Sequence, residues 1–242
     1  MASTASPYGF KPVNEVGGLP YAGSTRSFVL NPAGYGTNIF NGSLVYVATT
    51  GYLQLVTADG SDGTTNAFPA GTTLTGAVGV FVGCSYVNAQ GQTVFAQYFP
   101  GGTTAPTGTT IQAYVADDPD QLFKVALVAG QTEDGNGLTI AFLGRTVIGS
   151  NLELVQNAGS TVTGDSKIGA YSSAGGTTTA SLPLRCVDVV PDTANSSGNF
   201  CEVIVKWNAP YIVSTSTSSG GITTTTDSVV TGGHQYLNPL GV

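Results

Sequence analysis

The pattern of apolar and polar positions along the chain is that of short β-strands. Apolar residues alternate with polar ones or gather in brief β-branched runs, and no long segment repeats with a helical period. Each run ends at Gly, Asn, Asp or Pro, at the spacing typical of sandwiches and barrels. The predicted strands are 26–30, 43–48, 51–57, 76–83, 92–98, 110–116, 121–128, 138–143, 145–148, 151–155, 167–171, 182–190, 200–206 and 210–214.

Two of these strand pairs predict hairpins. The short turn at 48–50 joins the runs at 43–48 and 51–57, and the turn-forming segment 191–198 separates the strand at 182–190 from the next one. On that next strand Glu202 and Lys206 share a face, which we expect to be solvated while the alternate face is buried. The glycines of the 76–83 stretch predict close strand packing or a bulge.

These elements predict an all-β fold of one or two compact antiparallel β-barrel or β-sandwich domains, a jelly roll among the arrangements, with extended N- and C-terminal arms. Four regions follow: an N-terminal arm with aromatic anchors at 1–24, a β domain at 25–130, a second β region packed on it at 131–213, and a Thr/Ser/Gly-rich tail with a C-terminal anchor at 214–242. A boundary is expected near 129–137. For the Thr-rich tail, a flexible linker and a hairpin around 220–221 both remain open.

Charge is the most unusual part of the composition. Charged residues make up 9% of the 242 residues, against about 25% in ordinary soluble domains. Hydrophobic residues supply 41%, which is enough for a packed core and argues against disorder. A chain with so few charges lies inside an assembly or covers its surface with hydroxyls and amides. The composition therefore indicates a structural or binding role.

Several classes of function are disfavoured. The seven basic residues stand singly and the net charge is −7. The chain therefore has no stripe of basic residues that could bind nucleic acid or an anionic membrane. No stretch has the 18 or more apolar residues of a membrane span, and the N-terminus lacks the features of a signal peptide, so we expect synthesis in a cytoplasm. The cysteines Cys84, Cys186 and Cys201 are expected to be reduced core residues, although the last two flank one hairpin and could lie close together.

Candidates for chemistry are few. His234 is the only histidine and is interpreted as structural. The acidic run 117–120 suits a turn better than a calcium site, though both stay open. Asp188 and Glu202 could be a pair of carboxylates for glycoside cleavage, but ion pairing with Arg185 and Lys206 on solvent faces is simpler. No catalytic residue, metal or cofactor is predicted, and we expect that the protein is not an enzyme.

A set of sequence phrases carries a family resemblance. They are SPYGFKPVN at 6–14, YAGSTR at 21–26, TNIFNG at 37–42, VGVFVGCSY at 78–86, YVADDPD at 114–120, NAGSTVTG at 157–164 and RCVDVVPD at 185–192. Together, over most of 6–212, they resemble virion proteins of tailed phages, especially those of cyanobacteria and other aquatic hosts. Within that group the chain looks like a capsid decoration, or cement, protein.

The resemblance implies a homotrimer on the outer surface of the phage capsid, made in the host cytoplasm and bound to the major capsid protein. Its expected role is to stabilise the shell against internal DNA pressure, without nucleic acid or membrane as partners. The N-terminal arm would supply the contacts to capsid and neighbouring subunits. The expected interface residues are Tyr8, Phe10, Lys11, Pro12, Tyr21 and Arg26. The alternative is a tail, fibre or host-surface glycan recognition protein, to which the Thr-rich segment and exposed tyrosines are suited.

Overall fold

Short strands form almost all of the regular structure. The computed structural model describes residues 7–56, 77–128, 144–155, 158–171, 182–193, 201–208, 211–219, 222–230 and 233–237. The strands are β1 Lys11–Glu15, β2 Arg26–Leu30, β3 Leu44–Val47, β4 Leu53–Leu55, β5 Gly79–Val87, β6 Thr93–Ala96, β7 Ile111–Ala116, β8 Gln121–Val128, β9 Asn151–Val155, β10 Gly169–Tyr171, β11 Leu184–Val189, β12 Glu202–Trp207, β13 Tyr211–Ser219 and β14 Ile222–Val230. Two 3-10 turns, Gly144–Val147 and Gln235–Leu237, complete the described elements.

The predicted all-β class is confirmed, and most predicted strands are observed within a few residues of their expected bounds. The predicted strand at 145–148 is wrong, because residues 144–147 form a 3-10 turn. The glycine at 149, with a φ of 84°, ends this turn and lets the chain reverse directly into β9. The predicted strand at 138–143 and the predicted boundary at 129–137 lie outside the described residues.

The first sheet closes on itself. β8 pairs in parallel with β10 and antiparallel with β12, while β10, β9, β11 and β12 are neighbours in that order. The five strands therefore form a closed ring of pairings, which leaves the ring without a free edge. β1 pairs antiparallel with β8 and adds a sixth strand to the sheet.

The second sheet has the order β2-β7-β5-β3-β4, with β6 also paired to β5. A bulge lies between Phe81 and Gly83 on β5, as the predicted strand glycines allow. At Gly79 a Cβ would lie 2.2 Å from the carbonyl oxygen of Ala116, so only glycine permits this approach of β5 to β7. Both expectations for the strand glycines, close packing and a bulge, are therefore confirmed.

The core consists of two apolar clusters that meet at the second sheet. Leu44 and Val80 belong to the cluster that fills the ring of the first sheet. Their neighbours Val45 and Phe81 belong to the cluster on the opposite face of the second sheet. Because successive side chains point to opposite faces of a strand, the middle of the second sheet is buried on both sides. The second sheet thus separates the two clusters and contributes residues to both.

Both predicted hairpins are present, as the pairs β3–β4 and β11–β12. The Thr-rich segment is also a hairpin, with β13 and β14 paired from Tyr211↔Val230 to Ser219↔Ile222. Residues 220–221 at its tip lie outside the described residues. β8, from the predicted region 25–130, lies in the same closed ring as β9–β12 of the predicted region 131–213, and the arm contributes β1 to that sheet.

Candidate interaction surface

The N-terminal segment, residues 7–24, is part of the folded body. Its strand β1 pairs with β8, and the amide of Phe10 donates to the carbonyl of Gly42 at 2.9 Å. The Phe10 side chain is fully buried and meets Phe123 edge to face, with ring centroids 6.2 Å apart. Phe10 thus fills the chain's own core, which corrects its expected role as a contact to other subunits.

Tyr8 covers a part-buried ion pair on the closed ring of five strands, which we call the barrel. Its hydroxyl donates a short hydrogen bond to Oε1 of Glu202, and Lys124 Nζ lies 3.3 Å from Oε2 of the same carboxylate. The ammonium also lies 5.6 Å from the centroid of the Tyr8 ring, a cation–π contact. Burial first, and then the carboxylate, raise the pKa of Tyr8 well above its usual value.

This cluster corrects two expectations for β12. Its charged face is not solvated at Glu202, whose exposure is 7%, because Tyr8 from a distant part of the chain covers it. The expected pairs with Arg185 and Lys206 are also replaced. Glu202 pairs with Lys124, and Asp188 lies 3.9 Å from Arg145 at the surface. Glu202 and Asp188 are therefore each explained by a structural ion pair.

Lys11 joins three segments of the chain. Its Nζ donates to Oδ1 of Asn41 at 2.7 Å and lies 3.2 Å from Oδ1 of Asp165. Asn41 donates in turn to the carbonyl of Val82 at 2.8 Å, and Gln97 donates to the same Asp165 oxygen at 3.1 Å. The half-exposed ammonium therefore fastens β1 to the loop at 158–168 and to the second sheet.

Pro12 and Tyr21 also make contacts within the chain. Pro12 of β1 lies opposite Phe123 of β8. β1 is an outer strand, where a missing amide donor is tolerated. Tyr21 is half-buried against the core of the barrel, and its amide donates to the carbonyl of Val13 at 3.1 Å. Burial raises the pKa of Tyr21. Both residues hold the N-terminal segment in place.

Arg26 is the most exposed of the predicted interface residues. Its side chain is 63% exposed, its Nε lies 3.0 Å from Oδ2 of Asp117, and its guanidinium lies over the ring of Tyr236 at 5.5 Å. The Tyr236 hydroxyl accepts from Arg26 and donates to Asp117, at 3.2 Å in each case. These contacts fasten the C-terminal segment to β2 and to the turn after β7.

The acidic run 117–120 forms a turn, as predicted. The Asp118 carboxylate accepts from the amide of Asp120 at 2.8 Å, and the Asp118 carbonyl accepts from the amide of Gln121 at 3.2 Å. Within the described ranges, no group of three or more His, Cys, Asp or Glu side chains is arranged to hold a metal ion.

The C-terminal segment 233–237 docks onto the body. His234 is fully buried and pairs with Ala77 in a parallel bridge, and the Gln235 side chain bonds the amide and carbonyl of Val47 at 2.8 and 3.0 Å. The His234 ring meets Trp207 edge to face at 5.4 Å. Burial lowers the pKa of His234, so its imidazole is neutral and serves as a packed core side chain.

The three cysteines are free and buried. Burial raises the pKa of the Cys84 and Cys186 thiols to about 12, and it raises that of Cys201 as well. The reactive form of cysteine is the thiolate, which these sites disfavour. The cysteines are therefore core residues, as the sequence indicates.

An exposed apolar pair, Phe95 and Val162, was not identified from the sequence. Phe95 on β6 is 76% exposed, and Val162 in the turn at 160–164 is 93% exposed. The hydrogen bond from Gln97 to Asp165 joins their two segments. The strand pattern around Phe95 allowed either face to be buried, so alternation alone gave no signal for this surface. We call Phe95 and Val162 the apolar pair.

Comparisons with known proteins add no relative: no family model matches the chain, and neither a curated protein nor a solved structure does. In the described part of the chain, no helix has the length and apolar character needed to span a membrane. The residues themselves are therefore the basis for a functional proposal. Their arrangement holds distant segments together and presents an apolar pair at the surface.

Proposed function

We propose that the protein is a structural virion protein that binds the outer surface of an assembled phage capsid as an oligomer and stabilises the shell. Its partners would be the major capsid protein and further copies of itself. The family resemblance of the sequence phrases suggests this role, and the low charge of the chain agrees with a surface that other proteins cover.

The observation that carries the proposal is the apolar pair. Phe95 and Val162 are large apolar side chains that stay 76% and 93% exposed in a chain with a well-filled interior. Aromatic residues are enriched where protein interfaces exclude water, and such anchors supply much of the binding energy. A capsid surface with an apolar depression would take up this pair.

The use of charge supports a rigid rather than a catalytic body. Lys11, Arg26, Lys124 and Arg145 each lie in an ion pair with a carboxylate of the same chain. The first three join segments more than 70 residues apart in sequence. A block with its termini fastened in this way transmits load between capsid subunits without unfolding locally. Repeated weak contacts around an oligomer then add through effective concentration.

The direct test is binding to capsids that lack the protein. Purified chain is mixed with such capsids and sedimented, and the bound copies per particle are counted. We expect hundreds of copies and a higher temperature of capsid disruption. A count of a few copies would favour the tail or fibre alternative, and no binding would contradict both.

Substitution of the apolar pair locates the contact. Phe95→Ser combined with Val162→Ser removes the exposed apolar area and should weaken capsid binding at least tenfold. Phe95→Tyr keeps the aromatic ring and is the matched control, which should bind normally. Deletion of 1–24 is a poor test, because it removes Phe10 from the core. Unchanged binding by the double variant would contradict the assignment of this surface.

A further inference from the structure

We call the Thr-rich hairpin of β13 and β14 the ribbon, and the residues that flank it in the chain bond to each other. The amide of Gly233, which follows the ribbon in the chain, donates to the carbonyl of Asn208, which precedes the ribbon, at 2.8 Å. Asn208 is buried, and its backbone amide donates to the carbonyl oxygen of Pro183. A Cβ at Gly233 would lie 2.0 Å from the same carbonyl oxygen. The described residues that flank the ribbon in the chain, Asn208 and Gly233, are therefore held together in the body.

The ribbon has two long edges. Its strands pair at nine consecutive positions without a bulge, which corresponds to a length of about 30 Å. It is a two-stranded sheet, and within the described ranges neither outer edge pairs with another strand. Each edge is a row of backbone amides and carbonyls available to a further strand, and a two-stranded hairpin alone is only marginally stable in water.

The ribbon lacks the features that normally prevent edge pairing. Natural edge strands are protected by lysines, prolines, bulges or short length. Residues 211–230 contain no lysine or proline, and Asp227 is their single charged residue. Because the chain carries a net charge of −7, the ribbon is where two copies can approach with little repulsion.

We propose that the ribbon is the self-association element of the protein, and that its partner is the ribbon of another copy. In this arrangement β14 of one copy pairs antiparallel with β13 of the next. Three ribbons arranged around a threefold axis then close into a ring of six alternating strands, which has no free edge. The inference rests on the oligomer of the proposed function and specifies which part of the chain forms it.

The test measures the mass of the full chain in the absence of capsids, by light scattering and native mass spectrometry. The wild type should be a trimer. Thr224→Lys combined with Thr226→Lys places like charges on β14 and should convert it to monomer, with at least a tenfold loss of association. Thr50→Lys combined with Thr107→Lys makes the same charge change at exposed turns and should leave the trimer intact.

Hydrogen exchange checks the mechanism without depending on a variant. In a lone antiparallel pair, alternate amides point outward and exchange rapidly, whereas in a closed ring both sets are bonded. We expect protection of consecutive amides along β13 and β14 at concentrations where the trimer forms, and loss of every second one on dilution. A wild type that is monomeric, or a trimer that survives the ribbon lysines, would overturn the proposal.

Capsid binding is scored separately. A trimer with a paired ribbon that does not bind capsids would leave this inference standing and contradict the proposed function. A monomer whose capsid binding is lost with the ribbon lysines would show instead that the ribbon pairs with a capsid strand. That result overturns self-association while the proposed function stands.

Discussion

Trp207 and His234 meet edge to face, with ring centroids 5.4 Å apart and ring planes at 65°. They belong to a row of aromatic contacts that crosses the barrel: Phe10 meets Phe123, Phe123 meets Trp207, and His234 meets Tyr236. The row begins in the N-terminal segment and ends in the C-terminal segment. The segments around Phe10 and His234 are therefore fastened to the interior, and edge-to-face pairs of this kind stabilise beyond their buried area.

The burial of His234 predicts that acid weakens the fold. Burial lowers the pKa of His234 in the folded state below the unfolded value of 6.5, and the nearby Asp117 and Asp118 only partly oppose this. Below pH 6.5 the unfolded chain therefore binds more protons at this site, and stability is lost as pH falls toward the folded pKa. Urea unfolding at pH 7.5 and at successively lower pH should show this loss.

His234→Phe keeps an aromatic ring in the row and removes the titration. Its free energy of unfolding should depend less on pH below 6.5 than that of the wild type. Asp192→Asn, at an exposed turn away from the row, removes a carboxylate and is the control. Equal pH dependence in the wild type and His234→Phe would show that His234 does not couple to folding.

The hydrogen bond between Tyr8 and Glu202 should be worth more than a surface contact. Tyr8→Phe leaves the buried Glu202 carboxylate with one donor fewer, and we expect a loss of about 2 kcal/mol in the free energy of unfolding. A double-mutant cycle with Glu202→Gln isolates the coupling between the two side chains. Additive losses in that cycle would contradict a direct interaction.

Alkaline unfolding gives a second measure of the same pair. The pKa of Tyr8 is raised in the folded state, so its contribution is complete below pH 10 and is lost as pH rises above it. Tyr8→Phe should reduce the steepness of this loss. Some dependence should remain, because burial also raises the pKa values of Tyr21, Tyr46 and Tyr86.

Local pattern sufficed for much of the fold, but not for the contacts between distant segments. Alternation and turn residues predict β3–β4 and β11–β12, because each hairpin is specified within a short stretch. The burial of Glu202 depends on Tyr8, 194 residues away, and no local pattern contains that pairing. Closure of the barrel depends in the same way on the parallel contact of β8 with β10.

The candidate interaction surface shows the same difference between what a local pattern predicts and what depends on distant contacts. The aromatic residues of the N-terminal segment were evident from the sequence, whereas the surface on which they pack was not. Phe10 and Tyr21 have the character of anchors whether they pack on another subunit or on their own chain. Only the fold shows that they pack on the chain's own barrel. The exposure of Phe95 could not be predicted, because a strand of mixed β-branched and aromatic residues does not specify which face is exposed.

Gly79 is predicted to be intolerant of any side chain. A Cβ there would lie 2.2 Å from the Ala116 carbonyl oxygen, and this neighbour is backbone in the centre of a sheet. Gly79→Ala should therefore cost about 3 kcal/mol through displaced strands. Gly17→Ala, with nothing within 4 Å of its Cβ, should change stability by less than about 0.5 kcal/mol. Similar melting temperatures for the two variants would contradict the close approach.

The buried thiols predict resistance to modification in the folded state. Cys84 and Cys186 have pKa values raised to about 12, so thiolate is scarce at pH 8, and burial excludes the reagent as well. A chromogenic disulfide reagent at pH 8 should titrate none of the 3 cysteines in the folded protein and all of them in denaturant. Since reaction then requires opening of the core, its rate reports on how often the barrel and second sheet separate. Rapid labelling of Cys186 under native conditions would contradict this prediction and would mean that β11 opens on its own.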